Sequence, residues 1–245
     1  MYHGADEITQ FVPNDSSRQS SAMAVCAKIL KDSHLQVVID LGCGEGDSRE
    51  FFKKSDPNIK WVGVDIADSP EVRNRTRSGV EFVTYDGINL PFPDNYCDLV
   101  LCKQVLEHVQ KPQELLKDVA RVLKPGGIMV GSTSHLEPFH SLSCWNYTPY
   151  GLKLLFDEAH LDIIEMRPGI DVLTLLFNRF FSRVPLIGRF LARYFEQESP
   201  FNWMVGFFLK TVGKDQREIN LWKLLFCGQF VFWVKKSERG IQCDG

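Results

Sequence analysis

The chain has 245 residues, of which 44% are hydrophobic and 24% charged, with a formal net charge of −3. Such values belong to an ordinary globular protein of one large domain, or one domain plus a subdomain. They argue against any overall attraction to nucleic acid, and no N-P-P-Y-type motif for a flipped base is present.

In chain order, Met1 to Asn14 reads as a polar entry. A helix is expected from Ser16 to Lys31, with Ala22, Val25, Cys26, Ile29 and Leu30 on its inner face. Val37 to Asp40 reads as a strand that ends in a carboxylate and breaks into Leu41-Gly42-Cys43-Gly44-Glu45-Gly46. Glycine lets a backbone come close to a ligand, so a loop of this kind between a strand and a helix (Ser48 to Lys54) makes a nucleotide-type crevice. The spacing is G-x-G-x-G; Asp47 stands where a dinucleotide fingerprint has its third glycine. Asp40, Glu45, Asp47 and Glu50 surround the loop. Four carboxylates repel a pyrophosphate and suit a cationic ligand. S-adenosylmethionine, with its sulfonium and ammonium, is therefore preferred to NAD.

The second strand, Lys60 to Asp65, also ends in a carboxylate, which at this place accepts the two hydroxyls of a ribose. The third strand, Val80 to Tyr85, ends at Asp86-Gly87, and Asp86 is a candidate acceptor for the adenine amino group. Cys97 to Cys102 forms a fourth strand, followed by Leu106-Glu107-His108-Val109. An amphipathic helix runs from Pro112 to Leu123, Lys124-Pro125-Gly126-Gly127 stops it, and Ile128 to Ser132 is a fifth strand. A helix capped by Thr148 reaches about Ala159, Leu161 to Met166 is a sixth strand, and Gln229 to Lys235 is the last.

Four of these pieces, Asp40 to Gly46, Leu90 to Val100, Leu106 to Val109 and Leu123 to Gly127, stand in order at family-like spacing. Through them the chain, from about Gln36 to Gly169, resembles the class I S-adenosylmethionine-dependent methyltransferases of the type 11-like subgroup. Cys97 departs from the aromatic usual there. The resemblance implies that Asp40 and the loop residues Gly42, Cys43, Gly44 and Gly46 hold the methionine end of the cofactor. It implies Asp65 on the ribose, Ile66 against the adenine and Asp86 with Gly87 on the adenine edge. It also implies backbone at Lys103 and Gln104 facing the amino group or the methyl. Segments like the N-terminal one often cover the cofactor in this family, so Arg18 could reach the methionine carboxylate. The stretch around Trp145 to Leu152 is similar to methyltransferases of polysaccharide and lipopolysaccharide pathways.

The expected fold is α/β. It is a single domain with a Rossmann-like, seven-stranded, mostly parallel sheet and helices on both faces. An N-terminal cap (residues 1–35) precedes a cofactor-binding core (36–170), a helical insertion (171–228) and the last strand (229–236). The loop after strand five, Ser134 to His140, should lie over the methyl. An oxygen nucleophile needs a general base, so His140 and His135 are the catalytic candidates. His108, in a motif shared by members with different substrates, is placed on the substrate or cofactor side. Trp145 and Tyr147 could line the acceptor site. No metal is expected, because no His/Cys/Asp/Glu cluster shows ligand spacing.

Between Val172 and Gly228 there are eight Lys/Arg and four Asp/Glu, a surplus of four positive charges. Leu173, Leu176, Phe177, Phe180, Phe181 and Val184 fall at helical spacing; after Pro185, so do Leu186, Ile187, Phe190, Leu191, Tyr194 and Phe195, with Arg189 and Arg193 opposite. The insertion could be a packed subdomain, a lid, a dimer contact or an interfacial membrane element. No apolar run approaches the roughly 18 residues that span a bilayer. Seven cysteines without C-x-x-C spacing, and no signal peptide, lead to the expectation of a reducing cytoplasm, with possible peripheral contact at the inner membrane face. Residues 237–245 look like a frayed tail.

The function expected is methyl transfer from S-adenosylmethionine to a small-molecule, sugar or lipid-linked acceptor, most simply a hydroxyl. The alternatives are N- or C-methylation of a small metabolite, including a quinone-like ring, a non-catalytic cofactor-binding scaffold, and, at low weight, an NAD oxidoreductase. The oligomeric state is not legible.

Overall fold

The structure is a computed structural model; it describes residues 5–16, 19–76, 79–181 and 199–238. Arg18, the second amphipathic stretch with Arg189 and Arg193, and the tail beyond residue 238 lie outside the described residues.

Seven strands form one sheet in the order β3-β2-β1-β4-β5-β7-β6. They are β1 (Val37–Leu41), β2 (Lys60–Ile66), β3 (Phe82–Tyr85), β4 (Cys97–Lys103), β5 (Leu123–Ser134), β6 (Leu161–Pro168) and β7 (Gln229–Lys236). The first five pair parallel, and β7 runs antiparallel between β5 and β6. Central strands buried on both faces read as continuous apolar runs, and alternate side chains supply two cores. Val38, Leu99 and Leu101 face one core with Val25, Cys26 and Ile29 of α2 (Ala22–Asp32) and Phe52 of α3 (Ser48–Ser55). Ile39, Leu41, Val100 and Cys102 face the other, with Leu115 and Val119 of α5 (Pro112–Val122) and Phe156 of α6 (Pro149–Glu158).

Three boundaries differ from the sequence expectation. The polar entry holds a short helix, α1 (Ala5–Thr9), and buries Ile8 and Val12 in the main core; two isolated apolar residues carry too little periodicity to announce this. The helix that follows starts only at Ala22, because Ser21 caps it through Ala24 N–H (3.2 Å). Lys124 to Gly127 does not separate helix and strand. β5 begins at Leu123 opposite Cys97, and those residues loop out before Ile128 pairs with Leu99.

Between β6 and β7 the described chain forms α7 (Val172–Phe181), α8 (Pro200–Thr211) and α9 (Gln216–Leu225), closed by an Asp171–Cys227 bridge. A single-turn helix, α4 (Pro70–Arg73), follows β2. Among the described residues no helix is long and apolar enough to cross a membrane. Connections leave the sheet in opposite directions on either side of β1 and β4. The crevice at their carboxyl ends is the topological switch point where open α/β sheets bind ligands.

Candidate active site

Asp40 is the penultimate residue of β1 and is 5% exposed. Its carboxylate accepts from the Ser48 hydroxyl (2.5 Å), which in turn accepts from Trp61 Nε1 (2.9 Å). Burial pushes the Asp40 carboxyl up to about 6; the Ser48 bond and nearby Lys103 oppose the shift, and Asp65 and Asp47 add to it. A buried carboxylate held so close to neutrality gains when a cation arrives beside it. The other three acids of the loop, Glu45, Asp47 and Glu50, are exposed, so only Asp40 brings charge to the crevice floor.

Gly42 has φ +68°, and a Cβ there would lie 2.3 Å from Val105 Cγ2. No L side chain fits, and the absent side chain keeps the loop backbone open above Asp40. Gly46 has φ +81°, with Phe82 and Trp61 closing its other side at 3.0 and 3.3 Å from the same built position. Cys43 turns inward: it is buried, its thiol is pushed up to about 12, and its sulfur would meet a Cβ on Gly63 at 2.8 Å. Only its backbone can face a ligand.

At the end of β2, Asp65 Oδ2 accepts from Gly44 N–H (2.7 Å) and Oδ1 from Ile66 N–H (2.9 Å). Ile66 itself is 41% exposed, an apolar surface beside that carboxylate. Arg75 had not been singled out. Its guanidinium donates to Gly44 O (2.7 Å), sits 3.7 Å from Asp65 Oδ2 and lies over the Phe82 ring at 4.1 Å. An Arg ten residues past a strand-end Asp was the only sequence signal. Asp86 is committed to its own turn: it accepts from Ile88 N–H, Asn89 N–H and Asn89 Nδ2 at 2.6–2.8 Å, and these bonds hold its carboxyl below the ordinary range. Gly87 follows in that turn with φ +93°.

β4 ends at Lys103. Gln104 adopts φ +56°, and its N–H donates to Ser132 O (2.9 Å), so at this residue the backbone offers a ligand its carbonyl rather than its N–H. The Gln104 amide, turned so that its nitrogen donates, reaches Glu107 Oε1 at 2.9 Å. Glu107 is fully buried and also accepts from Thr133 Oγ1 (3.0 Å) and Ser134 Oγ (3.4 Å); burial raises its carboxyl above the ordinary range.

The loop after β5 folds onto this floor. Glu137, 2% exposed, accepts from Ser134 Oγ and Gln229 Nε2 (2.7 Å each) and is ion-paired with Arg179 of α7. Its Oε1 lies 3.6 Å from His140 Nδ1, a buried ring nitrogen with no hydrogen bond of its own. His140 packs edge-on against His108, centroids 5.2 Å apart. His135 has a different setting. Its Nδ1 is 2.8 Å from Tyr147 O, its ring rests on Phe230, and burial lowers its pKa. Tyr147 donates its hydroxyl to Leu106 O (3.0 Å) and Trp145 its Nε1 to Val109 O (2.8 Å). Both clamp the loop to the segment after β4, and Tyr147 is 7% exposed, so its ring belongs to the core. The sequence showed no metal-ligand spacing, yet folding brings one ligand atom each of Glu107, His108 and His140 within 4.8 Å of one another, a donor set able to hold a divalent cation.

Residues 39–131 match the family model described as a methyltransferase domain. Residues 39–131 carry a class I methyltransferase domain. It is 37% identical over 168 residues to the ubiquinone/menaquinone biosynthesis C-methyltransferase UbiE of Pseudomonas putida, covering 60% of this chain and 65% of that one. It is 33% identical over 124 residues to the demethylmenaquinone methyltransferase of Renibacterium salmoninarum, covering 49% and 50%. The chain thus spans about half to two thirds of the length of these methyltransferase relatives. Among solved structures, the [4+2]-cyclase SpnF superposes with a TM-score of 0.58 at 18% identity, over 93% of this chain and 86% of that one. That likeness shows the shared fold alone. S-adenosylmethionine is the cofactor of this methyltransferase domain. The residues fit it: a buried acid for a cationic end, a loop whose backbone lies bare at Gly42, and a strand-end carboxylate beside an exposed apolar side chain.

Proposed function

We propose that this protein methylates an acceptor that carries an ionisable hydroxyl, with His140 as general base and Glu137 as the residue that orients it. When bound, S-adenosylmethionine supplies an electrophilic methyl group. Asp40 and the bare backbone at Gly42 hold its cationic end, Asp65 takes the ribose and Ile66 packs on the adenine. The rest is done by side chains at the ends of β4 and β5. With Glu137 beside Nδ1, the proton of the neutral His140 ring belongs on Nδ1, and Nε2 is left to accept. The acceptor's hydroxyl proton passes to Nε2, and the imidazolium so formed rests against the Glu137 carboxylate. With the cofactor bound, the oxyanion would take the methyl carbon as its bond to sulfur breaks, the electron pair staying on a neutral thioether, and the proton leaves through the partly exposed side of His140. Alignment and exclusion of water carry the remainder of the rate. His135 is not assigned this role, because its ring is held by two backbone groups, those of Tyr147 and Leu225, and rests on Phe230, which leaves no ring nitrogen for an acceptor.

The observation that carries this reading is the placement of His140 Nδ1 opposite the buried Glu137 at 3.6 Å. A second reading has support in the relatives' names. If the hydroxyl sits on a ring, its deprotonation also loads charge onto the neighbouring ring carbon, and the same base then serves C-methylation of a quinol. Incubation with labelled S-adenosylmethionine and two acceptor sets, a demethylated quinol and simple sugar or glycolipid hydroxyls, tests the proposal. Label in an ether, or in a ring methyl, with loss of turnover in His140→Ala, supports it. Cofactor binding without transfer to any acceptor would leave the non-catalytic scaffold reading.

A further inference from the structure

The base sits beneath a surface of the wrong chemistry for water. Phe139 and Leu142, on either side of His140 in the loop, are 78% and 83% exposed. Phe180 at the end of α7 is 80% exposed, and α8 turns Trp203, Phe207 and Phe208 outward at 60%, 61% and 63%. A water-surrounded helix ordinarily hides such side chains against its neighbours; α8 buries only Asn202 and Leu209. Contiguous exposed apolar area marks a binding surface.

This surface is attached to the site. Arg179, one residue before Phe180, is ion-paired with Glu137 and donates to Pro138 O (3.2 Å), so α7 is fastened to the same loop that carries His140. The surface also differs in charge from the rest of the chain. The described residues 172–181 and 199–228 carry five Lys/Arg against two Asp/Glu, in a chain whose net charge is −3. Exposed Trp, Phe and Leu on helices of 10 and 12 residues, which carry Arg179 and Lys210 and no acid, match elements that lie in a lipid interface. Tryptophan and phenylalanine bury apolar area at the headgroup boundary, and the positive surplus complements anionic lipid.

We infer that α7, α8 and the loop around His140 form a membrane-docking face, and that the acceptor is lipid-borne and enters the site from the bilayer. The second half rests on the methylation reading above; the first does not. A bilayer is the occupant because the face is aromatic, neither of its helices carries an acid, and Arg179 fastens it to the loop of His140.

The test floats the full-length chain with vesicles of phosphatidylcholine containing phosphatidylglycerol, and follows tryptophan emission. The protein should rise with the vesicles, with a blue shift, and salt should weaken the association. The double variant Phe207→Ser/Phe208→Ser should lower the bound fraction about tenfold or more, and lower turnover of a prenylated quinol in vesicles, while turnover of the same ring without its chain stays unchanged. Protein that remains with the buffer at low salt overturns the inference. So does a dimer in sedimentation that the double variant converts to monomer without any vesicle binding, which would make the face a contact between copies. Flotation without turnover of either quinol overturns the lipid-borne acceptor and the methylation reading together, and leaves the docking face standing.

Discussion

Arg179 and Glu137 lie 42 residues apart and meet as an ion pair whose carboxylate is 1% exposed. The contact joins an insertion helix to the loop after β5, and the same carboxylate faces His140. Removing one partner of such a pair leaves the other charge stranded. Glu137→Gln keeps the shape and removes the charge. It should lower turnover roughly 10–100-fold, the usual cost of losing a partner that orients a histidine. Cofactor affinity should not change, because Glu137 faces His140 and not the crevice floor. A loss of turnover no larger than the loss of folded protein would reduce Glu137 to a structural role.

His140→Ala should lower turnover on an oxygen acceptor by roughly 10²–10⁴-fold, measured as initial rate at saturating cofactor. His135→Ala should instead lower the melting temperature, because it releases the bond to Tyr147 O. Equal rates for wild type and His140→Ala would point to an amine acceptor that needs no base.

The Asp40 carboxyl stands at about 6 against an ordinary 3.8. A folded-state value raised in this way contributes stability that is complete below about pH 4 and is lost as pH rises through about 6. The integrated amount is on the order of 3 kcal/mol. Without cofactor, wild type should therefore gain stability on acidification from pH 7 to 4.5 relative to Asp40→Asn, measured by urea unfolding at each pH. Cofactor affinity should run the other way, weakening below pH 6 in wild type, since the cation needs the carboxylate. Parallel pH curves for the two proteins would remove Asp40 from the site.

Asp65→Ala should weaken S-adenosylmethionine binding by roughly 1.5–3 kcal/mol, as for a lost charged acceptor, measured by calorimetric titration. The same substitution frees Gly44 N–H and Arg75, so part of the loss is loop order. Arg75→Ala separates the two contributions. A Kd unchanged in Asp65→Ala would withdraw the ribose assignment.

Gly42→Ala should destabilise the fold by roughly 1–3 kcal/mol through the collision with Val105. Val105→Ala in the same chain should recover part of that cost, a coupling that a double-mutant cycle reads directly. Full additivity of the two substitutions would show that the backbone at φ +68°, and not the contact, is responsible.

Chelation should leave turnover unchanged. Glu107 already accepts from Thr133 and Ser134, which satisfies it without a cation. Loss of activity on chelator treatment, restored by one divalent metal, would make Glu107, His108 and His140 a metal site and withdraw His140 as base.

The residues that follow a local rule were legible in the chain itself. A strand that ends in Asp40 and breaks into glycines, Asp65 at the tip of the next strand, and apolar runs at β spacing each express geometry within a few residues, so periodicity and turn chemistry specify the sheet and its crevice. Sequence places Cys43 in the loop and Asp86 past a strand end but does not say which way each side chain turns: the Cys43 thiol faces the core and the Asp86 carboxylate its own turn. The pairing of Glu137 with Arg179, 42 residues away, the raised carboxyl of Asp40 and the outward aromatic face of α8 depend on burial and on how segments pack together. Those are set by how helices pack on the sheet. The chain alone therefore determined a nucleotide crevice suited to a cation, whereas only the tertiary structure decided which histidine lies against the buried Glu137 and what surface surrounds it.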